Sequence, residues 1–168
     1  MKKTSKYARK RAHKSEWQLN RHKFVNPAVE AVIRANIEAD VVSLKTGAAL
    51  HAYTGANAAA LCNLAGRLIY IVCHAAKRHG LDGTPEARIL MGTANALGDL
   101  NENPESMEKQ RASIISGLAA IDRLIPSLHT YSLAEGALEL DMLLEQGAGF
   151  GTQDIAALCG AANEKESA

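Results

Sequence analysis

Apolar residues recur at steps of three and four through most of this chain, and nowhere in clean alternation, so the pattern predicts helices and no strands. Val29, Ile33, Ile37, Val41 and Leu44 form the first stripe, with Glu30, Arg34, Glu38 and Lys45 on the other side. Asn26-Pro27 opens this helix, since Asn before Pro is pushed out of the α region and Pro suits a first turn. Gly47 is expected to fray it, and Gly55-Ala56-Asn57 to end it.

A second helix is predicted over 57–79, striped by Leu61, Leu64, Leu68, Val72 and Ala75 and widened by Cys62, Ile69 and Cys73. It carries almost no charge before Arg67, which marks it as the central, most buried helix. Lys77, Arg78 and His79 before Gly80 suit its C-terminal dipole and a left-handed cap. Thr84-Pro85-Glu86 reads as N-cap, first residue and acidic first turn of a third helix, striped by Ile89/Leu90, Ala94, Leu97 and Leu100. Gly92 and Gly98 weaken it or admit a neighbouring helix.

Asn103-Pro104-Glu105 opens a fourth helix with the stripe Met107, Ile114, Leu118, Ile121 and Ile125, stopped by Pro126. Ser132 and Glu135 match a capping box ahead of Leu133, Ala137, Leu140 and Leu144 in a fifth helix. Gly147, Gly149 and Gly151 loosen the chain before a short final helix over 152–159. The expected fold is all-α: an irregular bundle of about five helices at 26–160, preceded by an arm at 1–25 and followed by a frayed tail at 161–168.

Composition agrees, because alanine and leucine dominate the apolar content and only seven residues are aromatic. Without the arm, about 144 residues remain, enough for a core without metal or disulfide staples. Charge changes the picture more. Residues 1–24 hold nine Lys/Arg against Glu16 alone, a balance of +8, while the rest of the chain holds ten Lys/Arg against seventeen Asp/Glu. The overall +1 thus joins a basic arm to an acidic body, a pattern that points to a polyanionic partner.

Within the arm, Lys6, Arg9, Lys10, Arg11, Lys14, Arg21 and Lys23 are candidates to neutralise phosphates, and Tyr7 and Trp17 to stack on unpaired bases. Phe24 adds a third aromatic. The expected partner is nucleic acid, DNA or RNA; a host protein docked by Trp17 and Phe24, or simple packing on the acidic body, are the competing readings. Glu135 and Glu139, four apart, suggest an exposed anionic ridge.

No H-E-x-x-H, G-x-S-x-G or Walker-type loop occurs, so no catalytic residue and no enzymatic activity are expected. The run 147–151 follows a helix and lacks Lys, so it reads as a linker, and Ser132 near His129 reads as a cap before a nucleophile. Cys62, Cys73 and Cys159 show no paired spacing and read as small core hydrophobes, with no metal and no cofactor expected. The longest apolar run, Leu68-Ile69-Tyr70-Ile71-Val72-Cys73, is too short for a bilayer span, and no apolar segment follows the first lysines. No membrane partner and a cytoplasmic location are therefore expected. Self-association into a homo-oligomer stays open.

Lys6 to Lys23, then Asn26-Pro27-Ala28-Val29-Glu30, Leu44-Lys45-Thr46-Gly47-Ala48-Ala49-Leu50 and Leu118-Ala119-Ala120-Ile121-Asp122-Arg123 stand in a suggestive order. That order resembles a loose group of small helical proteins carried by phages, prophages and mobile elements of proteobacteria. Trp17 and the glycine-rich stretch depart from it. The resemblance implies an accessory role exercised by binding: on phage genes, on host machinery, or against a host defence factor such as a nuclease. It transfers no functional residue.

Overall fold

A computed structural model describes residues 26–49, 51–53, 57–147 and 149–160. The arm, with every residue singled out in it, and the tail at 161–168 lie outside the described residues. Six α-helices are present and no strand among the described residues: α1 Pro27–Ala49, α2 Asn57–Arg78, α3 Pro85–Glu102, α4 Met107–Leu124, α5 Thr130–Glu145 and α6 Thr152–Leu158. Short 3-10 turns, Pro104–Ser106 and Ile125–Ser127, stand on either side of α4. The fold is an irregular all-α bundle.

Each boundary has a local cause. The Asn26 side chain accepts the Ala28 N–H at 2.9 Å, and Thr84 Oγ1 accepts that of Ala87 at 3.3 Å, relieving donors that a helix start leaves orphaned. Helix α2 ends in a Schellman arrangement: Leu81 N–H reaches Ala76 O at 2.9 Å and Gly80 N–H reaches Lys77 O at 3.1 Å. Gly80 sits at φ +68°, where only glycine is free of strain. Helix α1 ends at Ala49, two residues past Gly47 and short of the expected end at 55–57; the Tyr53 ring lies against Gly47, where the missing side chain makes room for an aromatic.

Helix α2 is the hub and contacts all five others, as its lack of charge led us to expect. Its length and mean hydropathy of 1.4 would suit a membrane span, but 67 % of that window is buried inside the bundle. Helix α4 lies along α3, α1 packs on α5 and α4, and α6 closes over α2 and α3. The core draws Ile37, Val41 and Leu44 from α1, Leu61, Leu68 and Val72 from α2, Leu90, Leu97 and Leu100 from α3, and Ile114, Leu118 and Ile121 from α4. Phe150 in the glycine-rich run meets Tyr70 edge to face, ring centres 5.6 Å apart, so that run is part of the packing.

Two expectations about helix faces and starts fail here. Val29 is 50 % exposed, because nothing in the bundle covers the first turns of α1. The capping box at Ser132 is absent: α5 starts three residues earlier, with His129 as N-cap, and Ser132 lies within its first turn. The glycines of α3 divide as the two alternatives allowed: Gly92 faces open space, and Gly98 meets Thr152.

Candidate functional site

The polar side chains of the bundle gather where α2 and α5 cross. Tyr70, His74 and Arg78 recur at steps of four on α2, and Glu135 and Glu139 do so on α5, so each set shares one helix face. Tyr70 Oη donates to Glu139 Oε1 at 3.4 Å, and His74 Nε2 stands 2.9 Å from Glu139 Oε2. Arg78 Nε donates to Glu135 Oε2 at 3.0 Å, and its second nitrogen engages Oε1 to complete a two-pronged pair. Glu135 is 5 % exposed and Glu139, though half-exposed, bonds to Tyr70 and His74, which overturns the expected free anionic ridge: both carboxylates are engaged by α2. His74 is buried as well, and its Nδ1 has no hydrogen-bond partner among the described residues.

Beyond Arg78 the seam continues with His79, whose Nε2 lies 3.1 Å from Ser132 Oγ and accepts the His129 N–H at 3.3 Å. The His79 and His129 rings are 4.7 Å apart. Ser132 is thus matched to His79 and not to its sequence neighbour His129. Among the described residues no carboxylate bonds the other nitrogen of the His79 ring, and neither residue lines the cleft between α2, α3 and α6. The arrangement ties the start of α5 to the end of α2.

Burial, together with the Glu139 carboxylate, pushes the Tyr70 phenol up to about 12 from its ordinary 10.0. Unfolded Tyr70 therefore ionises first as pH rises, while the folded phenol keeps its proton. Its contribution is fully present below pH 10 and is lost between pH 10 and about 12. Tyr70→Phe, which keeps the ring, should lose less stability than the parent across that window in pH-stepped denaturation. Superimposable slopes would remove Tyr70 as the cause.

A cleft of about 450 Å³ opens between α2, α3 and α6, next to the Tyr70 end of the seam, where Phe150 meets the Tyr70 ring. Cys62, Asn63, Asn101 and Thr152 give it polar edges, and Phe150 and Ile155 an apolar floor. The Cys62 thiol donates to Leu97 O at 3.4 Å, and burial pushes it up. Among the described residues no cluster of three His, Cys, Asp or Glu is placed to hold a metal.

The described bundle holds nine Lys/Arg, and seven are already engaged. Lys45, Arg67, Arg78 and Arg123 pair with Asp122, Asp141, Glu135 and Glu86. Arg34 pairs with Glu38 and also donates to Ile125 O and Leu128 O at 3.2 and 3.1 Å. Arg111 pairs with Glu108, holding that carboxyl below its ordinary range, and donates to Ala48 O at 2.9 Å. Lys77 donates to Ala157 O at 3.0 Å. These last three satisfy carbonyls at the ends of neighbouring helices, where positive charge also suits the dipole. Only Arg88 and Lys109 have no such partner among the described residues.

The proposed nucleic-acid contacts Lys6, Tyr7, Arg9, Lys10, Arg11, Lys14, Trp17, Arg21 and Lys23 all lie outside the described residues. Sequence reasoning missed the α2–α5 seam, although the matched steps of four at 70, 74 and 78 and at 135 and 139 were its signal. Comparison of the chain with known protein families, curated proteins and solved structures finds no match.

Proposed function

We propose that this protein is a non-enzymatic accessory protein of phage or mobile-element type that binds nucleic acid through its basic N-terminal arm. The observation that carries this reading is the division of charge. The bundle's cations are spent on its own carboxylates and helix ends, whereas the arm concentrates nine Lys/Arg in 24 residues. Lys6, Arg9, Lys10, Arg11, Lys14, Arg21 and Lys23 neutralise phosphates, and Tyr7 and Trp17 stack on bases. The acidic bundle repels the same polyanion, so it adds specificity by dimerising or docking on a protein. The setting is cytoplasmic, where nucleic acid is at hand.

The test is a salt titration of binding to labelled single- and double-stranded oligonucleotides. Arg9→Ala, Lys10→Ala and Arg11→Ala together should weaken binding and reduce the salt slope by about 2–3, since each phosphate contact contributes roughly 0.7–0.9. A chain lacking residues 1–24 should not bind near physiological salt. Unchanged affinity and slope in both variants defeat the reading.

A second reading is an inhibitor or adaptor that binds a host protein, such as a defence nuclease. Its support is apolar exposure where the arm joins the bundle: Val29 is 50 % and Val32 58 % exposed on α1, and Tyr131 40 % on α5. Trp17 and Phe24 would extend that surface as anchors. A host protein retained by the full chain after nuclease treatment favours this reading.

A further inference from the structure

Two thiols 86 positions apart in the chain meet inside the bundle, with Cys73 Sγ 3.0 Å from Cys159 Sγ. Cys73 stands on α2 and is 1 % exposed; Cys159 follows the last turn of α6 and is 6 % exposed. Four residues beyond Cys73, Lys77 donates to Ala157 O, so α2 grips the end of α6 at two points one helical turn apart. Thiols acting only as small hydrophobes need no more than van der Waals contact. These sulfurs are closer and share a hydrogen bond. Cys62 has no such neighbour; it opens on the cleft and donates to a backbone carbonyl.

We propose that Cys73 and Cys159 form a reversible dithiol–disulfide pair, exchanging with small-molecule disulfides of the glutathione class, that latches α6 to α2. The site is separate from the nucleic-acid reading and does not rest on it. Helix α6 has only seven residues and closes one side of the cleft, so it is an element whose local opening admits the reagent. The Cys159 thiolate attacks one sulfur of the small disulfide, forming a mixed disulfide and releasing one thiolate, which takes up a proton. Cys73 then loses its proton, and its sulfur attacks that of Cys159, expelling the second small thiol. Two protein thiols are oxidised to one disulfide, and the small disulfide is reduced to two thiols.

The order of attack follows from exposure and from the shared hydrogen bond. Cys159, at the end of the short α6, is the more exposed of the two, 6 % against 1 %, and the bond holds its thiol below the ordinary value while bond and burial push the Cys73 thiol up. The first nucleophile is therefore the sulfur nearer the chain terminus. Once latched, α6 holds Thr152 and Ile155 in place against the cleft.

The experiment uses the full chain, reduced and then equilibrated in glutathione buffers of increasing disulfide content. It is read by intact mass, non-reducing peptide mapping and thermal unfolding. The expected product has lost two hydrogens, carries a 73–159 cross-link reversed by dithiothreitol, and melts roughly 5–15 °C higher than the reduced form. Cys62→Ala should behave identically. Cys73→Ala should stop at one glutathione on Cys159. Glutathione adducts without the cross-link in the parent chain, a cross-link through Cys62, or no reaction overturn the proposal. A 73–159 cross-link that leaves the melting temperature unchanged overturns the latch. Mapping of the parent chain decides the matter even where a variant fails to fold.

Discussion

Gly117→Val is expected to destabilise the bundle by about 2–4 kcal/mol, and the reason lies in a single contact between α3 and α4. A Cβ at position 117 would stand 2.2 Å from Thr93 Oγ1 and 2.5 Å from its Cγ2, well inside any tolerable separation. Thr93 is fully buried and cannot swing aside freely, because its hydroxyl bridges Ile89 O at 2.9 Å and Ser113 O at 3.0 Å. The helices must separate or the hydroxyl must give up both carbonyls. Overpacking a close-packed core costs about 1–3 kcal/mol, and a lost buried hydrogen bond adds about 1. For a chain of this size the melting temperature should fall by roughly 4–16 °C.

A control lies on the facing helix. Gly92 has open space where its Cβ would go, so Gly92→Ala should stabilise by about 0.5–1 kcal/mol through helix propensity alone. Adding Thr93→Ala to Gly117→Ala should recover part of the loss, though not all, because the Thr93 Cβ itself is 2.7 Å from the new atom. Urea denaturation measures all of these. A Gly117→Val chain within about 0.5 kcal/mol of the parent would sink the account of this contact.

Leu44→Ala should cost about 3 kcal/mol, while Val29→Ala, on the same predicted stripe of α1, should cost less than about 0.5. Leu44 is fully buried, so truncation removes packed methyl groups and leaves a cavity that its neighbours only partly fill. Val29 is half in water already, and little burial is lost with its methyls. The comparison keeps the helix and the residue class nearly constant and varies only coverage. Equal losses at both sites would mean that the first turns of α1 are covered in solution, by the arm or by a second copy.

This pair shows where legibility stopped. Periodicity found the stripe from Val29 to Leu44, because i, i+3 and i+4 spacing is a property of the helix itself. It had no way to tell which part of a 23-residue helix extends past the bundle. The same limit applied to charge. Glu135 and Glu139 read as a ridge because acidic residues are usually solvated; the α2 side chains that receive them lie more than fifty positions earlier in the chain. Ser132 matched a capping box on sequence, but its helix starts earlier and its hydroxyl meets His79 instead. The three cysteines gave no spacing signal, since the two that meet are 86 positions apart.

What the sequence determined by itself is what short-range physics controls. Apolar periodicity placed the helices, Asn26-Pro27 and Thr84-Pro85 set two of their starts, Asn103-Pro104 the 3-10 turn that leads into α4, and Gly80 and Pro126 their ends. The apolar α2, with almost no charge before Arg67, was identified as the central helix, and the basic arm was separated from the acidic body. The tertiary structure alone decided which faces are covered, which carboxylates turn inward, and that Cys73 and Cys159 touch. Those outcomes depend on how rigid helices cross, where a contact joins residues from distant parts of the chain through close packing and directional hydrogen bonds. Local pattern carries no record of such crossings.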